Sequence, residues 1–409
     1  MKGIPQRPEE LTASPAKNLD PQLYILSVSK FFKDLGTGML AFLIPLYIVD
    51  LYSPFFGSTP VVVKAGIVAT AYGISNSISQ PFMGKLSDSL DRRKVFVLAG
   101  MAGFTILSFI YANTSRFEYV VFFRFVQGIT VGAAVPAILA MITHFSTSRT
   151  RGKAIGIYSS LRGLGFGSGP IVAGAVVNYY GFGTAFYVCA SLGILSTFLV
   201  LFFVRETHGS AEKNVSSGVS VSRDPQFFVL ALAMFMMMVG IMIIFAFLPE
   251  YKLRLGASEL SLSIAVSAYV FARVLFQTPL GIISDRMGRK RMVAYGLLLN
   301  VPIVIGLAYA GSITELIILR ALQGISMAAV ETPVMALAVE LTGGRAVSSR
   351  VSIITAAQAG GMALGPLLGG LLAGYVSFRT PFYLCAALIL LSFFLILAKV
   401  KEPGAFKNA

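Results

Sequence analysis

The chain has 409 residues, of which 56% are apolar and 12% charged, whereas an ordinary soluble domain carries about 25% charged residues. That balance argues against a water-soluble fold. The formal net charge of +15 raises nucleic acid as a partner. However, Lys and Arg fall in short clusters between apolar stretches rather than on one aromatic-interleaved surface, so no nucleic-acid partner is expected.

Residues 1–21 hold Pro5, Pro8 and Pro15 among several charges, with no compact apolar core followed by a small-residue cleavage site. They read as a cytoplasmic tail rather than a removable signal. A bilayer core of about 30 Å takes about 20 apolar helical residues at about 1.5 Å each. Twelve runs meet that length: 22–50, 62–83, 94–112, 117–142, 152–177, 183–204, 226–249, 259–281, 292–311, 314–341, 348–375 and 380–399. Backbone groups in lipid must be satisfied internally, and runs this long and continuously apolar are helices, not barrel strands. The fold class is an all-α membrane protein of twelve transmembrane helices.

Basic residues gather in alternate connections. Arg92, Arg93 and Lys94 follow the second run, Arg149, Arg151 and Lys153 the fourth, Arg286, Arg289, Lys290 and Arg291 the eighth, and Arg345 and Arg350 the tenth. The intervening connections are balanced, as with Arg116 and Glu118. The bias of Lys and Arg toward the cytoplasm then places both termini on that side of the cell membrane. The one longer connection, 208–225, is rich in Ser, Gly and charge and reads as a solvated cytoplasmic linker. It separates a six-helix bundle over 22–207 from a second over 226–400, leaving 401–409 as a C-terminal tail.

The two bundles repeat. Sliding one over the other by about 196 residues pairs Arg124 with Arg320, Gln127 with Gln323, Arg149 with Arg345, Gly169-Pro170 with Gly365-Pro366, Cys189 with Cys385 and Glu206 with Glu402. One residue longer, the same comparison aligns Tyr72 with Tyr269, Gly84 with Gly281 and Asp88 with Asp285. Two same-topology halves related by an axis along the membrane normal form the parallel-repeat architecture of secondary transporters, with the substrate between them near the midplane.

The connection after the second run reads Gly84-Lys-Leu-Ser-Asp88-Ser-Leu-Asp91-Arg92-Arg93-Lys94, and its counterpart Gly281-Ile-Ile-Ser-Asp285-Arg286-Met-Gly288-Arg289-Lys290-Arg291. Both resemble the G-x-x-x-D-R-x-G-R-K signature of the major facilitator superfamily. The first copy departs from it at Ser89 and Asp91. A glycine there can end the helix and allow close packing, while a carboxylate followed by arginines can bridge helix ends as a conformational switch. Positive charge set only by topology would explain the arginines but not the repeated Gly and Asp. Arg124-Phe-Val-Gln127-Gly128 resembles a segment tied to proton coupling in the family's exporters. Gly165-x-x-x-Gly169-Pro170-x-x-Ala173-Gly174 resembles the glycine motif of its drug and metabolite antiporters, and Gly361-x-x-x-Gly365-Pro366-x-x-Gly369-Gly370 repeats it in full. Small residues and proline at this spacing give sliding or bending surfaces between the halves, or ordinary tight packing.

A charge inside a span costs about 2.5 to 3.5 kcal/mol on insertion scales, so each needs a partner or a purpose. Asp34, near the centre of the first run, is the first candidate for proton coupling, with Arg124 as its counter-charge; the plainer reading is neutralisation by Lys30 four residues earlier. Glu331 has Val135 at its matching position in the first half, an asymmetry that fits a function-specific site. Arg162 and Arg273 stand at a similar depth and are expected to form an anion-accepting pocket, with Glu331 as competitor or second proton site. A structural salt bridge between Arg273 and Glu331 is the alternative. Asn76, Gln127 and Gln323 complete the candidate substrate cavity. The Met-rich run from Met234 reads equally as cavity wall or as lipid-facing filler.

No phosphate-binding loop, metal cluster or convergent catalytic set occurs, so neither a cofactor nor an enzyme activity is expected. The resemblance implies alternating access by a monomer, with export of a small organic molecule against proton entry. A uniporter or symporter for a sugar, organic acid or other metabolite is the next reading, and a receptor built on the transporter fold is the rival from another class.

Overall fold

The fold is described from a computed structural model, over residues 19–147, 150–207, 224–342 and 347–402. The tails at 1–18 and 403–409, Arg149, Arg345 and most of the expected linker, 208–223, lie outside the described residues. Eleven long helices carry the described chain: α1 (Pro21–Tyr47), α2 (Val61–Leu90), α3 (Arg93–Ala112), α4 (Phe117–His144), α5 (Arg151–Phe203), α6 (Pro225–Leu255), α7 (Glu259–Met287), α8 (Arg289–Tyr309), α9 (Ile313–Leu341), α10 (Val347–Tyr375) and α11 (Thr380–Lys399). All are long and apolar enough to cross a membrane.

The difference from twelve predicted spans lies in α5, whose 53 residues hold two of them. Gly181, at φ 82° and ψ 172°, breaks the helix with a backbone conformation that only glycine adopts without strain. The chain passes from the fifth span to the sixth at that residue, with no polar connection to mark it.

Helix starts explain the matching entry into each half. Asp20 accepts from Gln22 N at 2.9 Å and Asp224 from Gln226 N at 3.0 Å, and each is followed by proline at the first helical position. The carboxylate satisfies an orphan amide and the proline needs no donor there. In the first half α1 packs along α5, α2 along α4, and α3 against both α4 and α5; in the second α6 packs along α10, α7 along α9, and α8 against α9 and α11. The repeat reaches individual bonds. Lys94 donates from its amide to Glu206 and from Nζ to the Leu201 carbonyl, both at 2.8 Å. Lys290 does the same with Glu402 and Leu397, at 3.3 and 2.9 Å.

The halves meet along α2 against α10 and α5 against α7. Contact is tight at the end away from the termini. A Cβ added to Gly370 would lie 2.5 Å from the Val62 carbonyl, one on Gly66 2.5 Å from the Pro366 carbonyl, and one on Gly174 2.6 Å from Ser263 Cβ. Thr70 Oγ1 also donates across the halves to the Ala363 carbonyl at 2.6 Å. Toward the terminal end the packing relaxes: a Cβ on Gly163 would sit 3.5 Å from Val274, and Gly156 and Gly152 have nothing within 4 Å. Ile78, Phe82 and Leu86, on the terminal half of α2, are exposed. The molecule is sealed at one end and parted at the other.

Gly370→Val is expected to push the sealed end apart at a cost of about 1–3 kcal/mol, the usual penalty of overpacking. Thiol labelling of a Thr70→Cys reporter, buried in the sealed state, should accelerate in its presence.

Candidate functional site

The largest group of charges inside the spans lies where α1 meets α5. Lys30, Lys33 and Asp34 are buried, each with at most 4% exposure. Lys30 Nζ stands 2.5 Å from Asp34 Oδ1, Lys33 Nζ 3.5 Å from the same oxygen, and Arg162 Nε 3.9 Å from Oδ2. Lys33 also lies over the Phe104 ring, 5.5 Å from its centre. One carboxylate therefore holds three cations, and Arg162 is the loosest of them, with its side chain 61% exposed. Tyr72 of α2 stands within electrostatic range of both Asp34 and Arg162. The Arg162 guanidinium thus stands exposed beside the buried carboxylate of α1.

Arg124 is not the counter-charge of Asp34. It donates to Gln127 Oε1 at 3.1 Å and to the Leu40 carbonyl at 2.9 Å, and lies 5.3 Å from the Tyr72 ring centre. Its repeat partner Arg320 donates to Gln323 and lies 4.7 Å from the Tyr269 ring centre, while Gln323 donates to the Gly240 carbonyl at 3.4 Å. Both arginines are buried on neutral partners, which hold their donors without cancelling their charge. Gln127 and Gln323 are buried, with their Oε1 atoms accepting from these arginines, rather than free in a cavity. Asn76 accepts from Gln80 at 3.3 Å on the same helix, beside Gly132 of α4.

In the second half Arg273 pairs with Glu331 at 2.5 Å, and Gln358 donates to Glu331 at 2.9 Å. The expected single pocket of Arg162 and Arg273 is thus two ion clusters, one in each half. They sit in the same layer, since Val274 is the α7 residue opposite Gly163 of α5. Counted from the matched caps Asp20 and Asp224, the positions of Lys30, Lys33 and Asp34 are taken in the second half by Met234, Met237 and Met238. All three methionines are buried, not lipid-facing, and Met237 receives the Asn300 amide at 3.0 Å.

The signature loops form helix ends, but Gly84 and Gly281 do not end the helices. α2 runs on to Leu90 and α7 to Met287. The helices stop at Asp91 (φ 50°) and Gly288 (φ 99°), so the residue that departs from the signature in the first copy adopts the left-handed region its glycine counterpart uses. In the second copy Arg289 bridges Asp285 at 3.1 Å and Glu340, at the end of α9, at 2.9 Å. His144 holds the matching place to Glu340 in the first half. Asp88, Arg92 and Arg286 are exposed, and Arg93 is buried.

The glycine motifs pack mainly within each half. Cβ atoms on Gly165 and Gly169 would meet the Phe31 and Leu35 carbonyls of α1 at 2.6 and 2.5 Å, and those on Gly361 and Gly365 would meet Phe235 and Val239 of α6 at 2.5 and 3.0 Å. Other residues of the same motifs, Gly174, Pro366 and Gly370, reach across to the other half, beside Gly163, Gly167 and Gly374 outside them. Pro170 is buried within α5.

Two repeated six-helix bundles, sealed at one end and parted at the other around buried charges, define a membrane transporter of the two-bundle secondary kind. The chain belongs to the Major Facilitator Superfamily, which it matches over residues 26–258 and 230–408; this is a family of transporters, not of enzymes. It is 27% identical over 380 residues to the multi-drug resistance efflux pump PmrA homolog of Lactococcus lactis, covering 88% of this chain and 90% of that one. It is 26% identical over 391 residues to the multi-drug resistance efflux pump PmrA of Streptococcus pneumoniae, covering 92% and 98%. Among solved structures it resembles a bacterial homolog of the human lysosomal transporter Spinster in an inward-facing, occupied conformation. That match has a TM-score of 0.76 and 15% identity, covering 92% of this chain and 96% of the other. The nucleoside transporter NupG matches at TM-score 0.73 and 15% identity, covering 93% and 100%.

Asp34→Asn removes the one carboxylate from three cations. Breaking such a buried pair costs about 3–5 kcal/mol, so the melting temperature of the solubilised protein should fall sharply. The triple change Lys30→Met, Lys33→Met and Asp34→Met, which copies the second half, is expected to recover most of that loss. Arg289→Ala should cost about 1 kcal/mol, because its pairs with Asp285 and Glu340 are partly exposed at the helix ends, yet reduce transport severalfold by freeing the ends of α7 and α9.

Proposed function

We propose that the protein is a proton-coupled exporter of a small organic molecule, working as a monomer by alternating access in the cell membrane with both termini in the cytoplasm. The observation that carries this reading is the ion cluster held inside the spans of each half, in two halves that part at one end only. That end bears the basic connections, so the bias of Lys and Arg makes the conformation inward-facing. The names of the relatives, efflux pumps, support the direction.

In this reading the bundles at 22–207 and 226–400 rock about the midplane. A proton can shift the balance between facing states only by binding them differently. Asp34 and Glu331 are the groups assigned to that role, since each is held by a side chain of a helix that meets the other half, Arg162 of α5 for Asp34 and Arg273 of α7 with Gln358 of α10 for Glu331, so its solvation changes as the halves part. Arg124 with Gln127 and Arg320 with Gln323 brace the cavity walls. The signature loops, with Arg289 between Asp285 and Glu340, latch the terminal side. A second reading, a uniporter or symporter for an organic acid, is favoured by the exposed guanidinium of Arg162.

The test is proton movement in liposomes holding the purified protein, with wild type beside Asp34→Asn and Glu331→Gln. Substrate-driven proton release through the wild type that disappears in either variant is the expected result. Transport that proceeds with no proton movement would end the coupled reading and leave a uniporter.

A further inference from the structure

We propose that the cavity recognises an organic anion and that Arg162 is its recognition group. This rests on the alternating-access reading and not on the direction of the proton. Away from the helix ends, the described residues inside the spans include the cations Lys30, Lys33, Arg124, Arg162, Arg273 and Arg320 but only the carboxylates Asp34 and Glu331. Arg124 and Arg320 rest on glutamine, carbonyl and tyrosine groups, and the Nε of each has no hydrogen-bond partner. An excess of positive charge in a low-dielectric interior draws anions and repels lipophilic cations.

The position of that charge selects the residue. Glu331 answers Arg273 at 2.5 Å, which makes the second half locally neutral. In the first half Asp34 is already taken by Lys30 at 2.5 Å, so Arg162, at 3.9 Å from the carboxylate, lies beyond hydrogen-bond distance of it. Its guanidinium is both charged and open to the cavity. A planar fork with free N–H groups fits a carboxylate, sulfonate or phosphonate through paired bonds, a geometry lysine cannot offer. Met234, Met237 and Met238 stand at the matching positions of the second half and add no competing carboxylate.

The experiment uses full-length protein in detergent, with unfolding read by a thiol-reactive dye, since Cys189 and Cys385 are both free and buried. The probes are naphthalene-2-carboxylate, naphthalene-2-sulfonate and, as matched cation, (naphthalen-2-ylmethyl)trimethylammonium, each titrated into the millimolar range. A phosphatidylglycerol arm is set against phosphatidylcholine. The anions should raise the melting temperature and the cation should not. Arg162→Gln should weaken the anion effect about tenfold, the loss of roughly one charge-assisted bond, and Arg162→Lys should restore it in part. Stabilisation by the cation alone, by phosphatidylglycerol alone, by no probe, or by anions equally in wild type and Arg162→Gln would overturn the assignment. The liposome assay keeps the two readings apart. Anion binding without proton movement defeats the coupling and leaves this site standing, whereas proton movement driven only by cations defeats this site and leaves the coupling.

Discussion

An ionised group inside a bilayer must be compensated within reach of its own side chain, and the architecture of this transporter follows from how that constraint is met around Asp34. The carboxylate gathers Lys30 and Lys33 from its own helix and Arg162 from α5. Those contacts tie the first span to the fifth beside Gly165 and Gly169, where the two backbones approach too closely for a side chain. Charge and packing thus support one another. The glycines bring the helices near enough for Arg162 to reach the carboxylate, and the ion cluster gives α1 and α5 a specific register that dispersion alone would leave open.

The second half meets the same constraint differently. It removes the charges from the first helix of the bundle, fills their places with methionine, and moves an ion pair to α7 and α9 as Arg273 and Glu331. The scaffold contacts stay symmetric, as in the bonds from Lys94 and Lys290 to Glu206 and Glu402. The repeat keeps its scaffold contacts and loses its symmetry at the central charges. Arginines on neutral partners, Arg124 and Arg320, belong to the conserved-looking scaffold by this internal comparison, whereas Arg162 has Gln358 at its matching position.

Contact between the halves is graded along the membrane normal. At the sealed end backbone meets backbone through Gly66, Gly174 and Gly370; at the terminal end Gly152 and Gly156 face open space. A gradient of this kind lets two rigid bundles rock without repacking their cores, because only the residues along α2, α5, α7 and α10 exchange neighbours. Glycine in these helices allows near-contact of the two halves at one end.

Hydropathy and length by themselves determined the helical membrane class, because a lipid environment leaves a backbone no other way to satisfy its polar groups. The spacing of matched residues likewise determined the two-fold repeat. The residues that gather as charge clusters, Asp34, Arg162, Arg273 and Glu331, were visible because a charge in an apolar run stands out against its cost. Two pairings, Lys30 with Asp34 and Arg273 with Glu331, were among the readings the sequence offered, and the structure holds both; the further partners were not legible. Asp34 finds Arg162 rather than Arg124, and Gln358 joins Glu331, because partner choice depends on which helix faces lie together, and every span is apolar on several faces. The break at Gly181 was hidden for a related reason, since a turn made by one glycine leaves no polar stretch to read. Which glycines join the halves and which stay within a bundle was decided only by the tertiary structure, through helix rotation that a pattern of small residues does not specify.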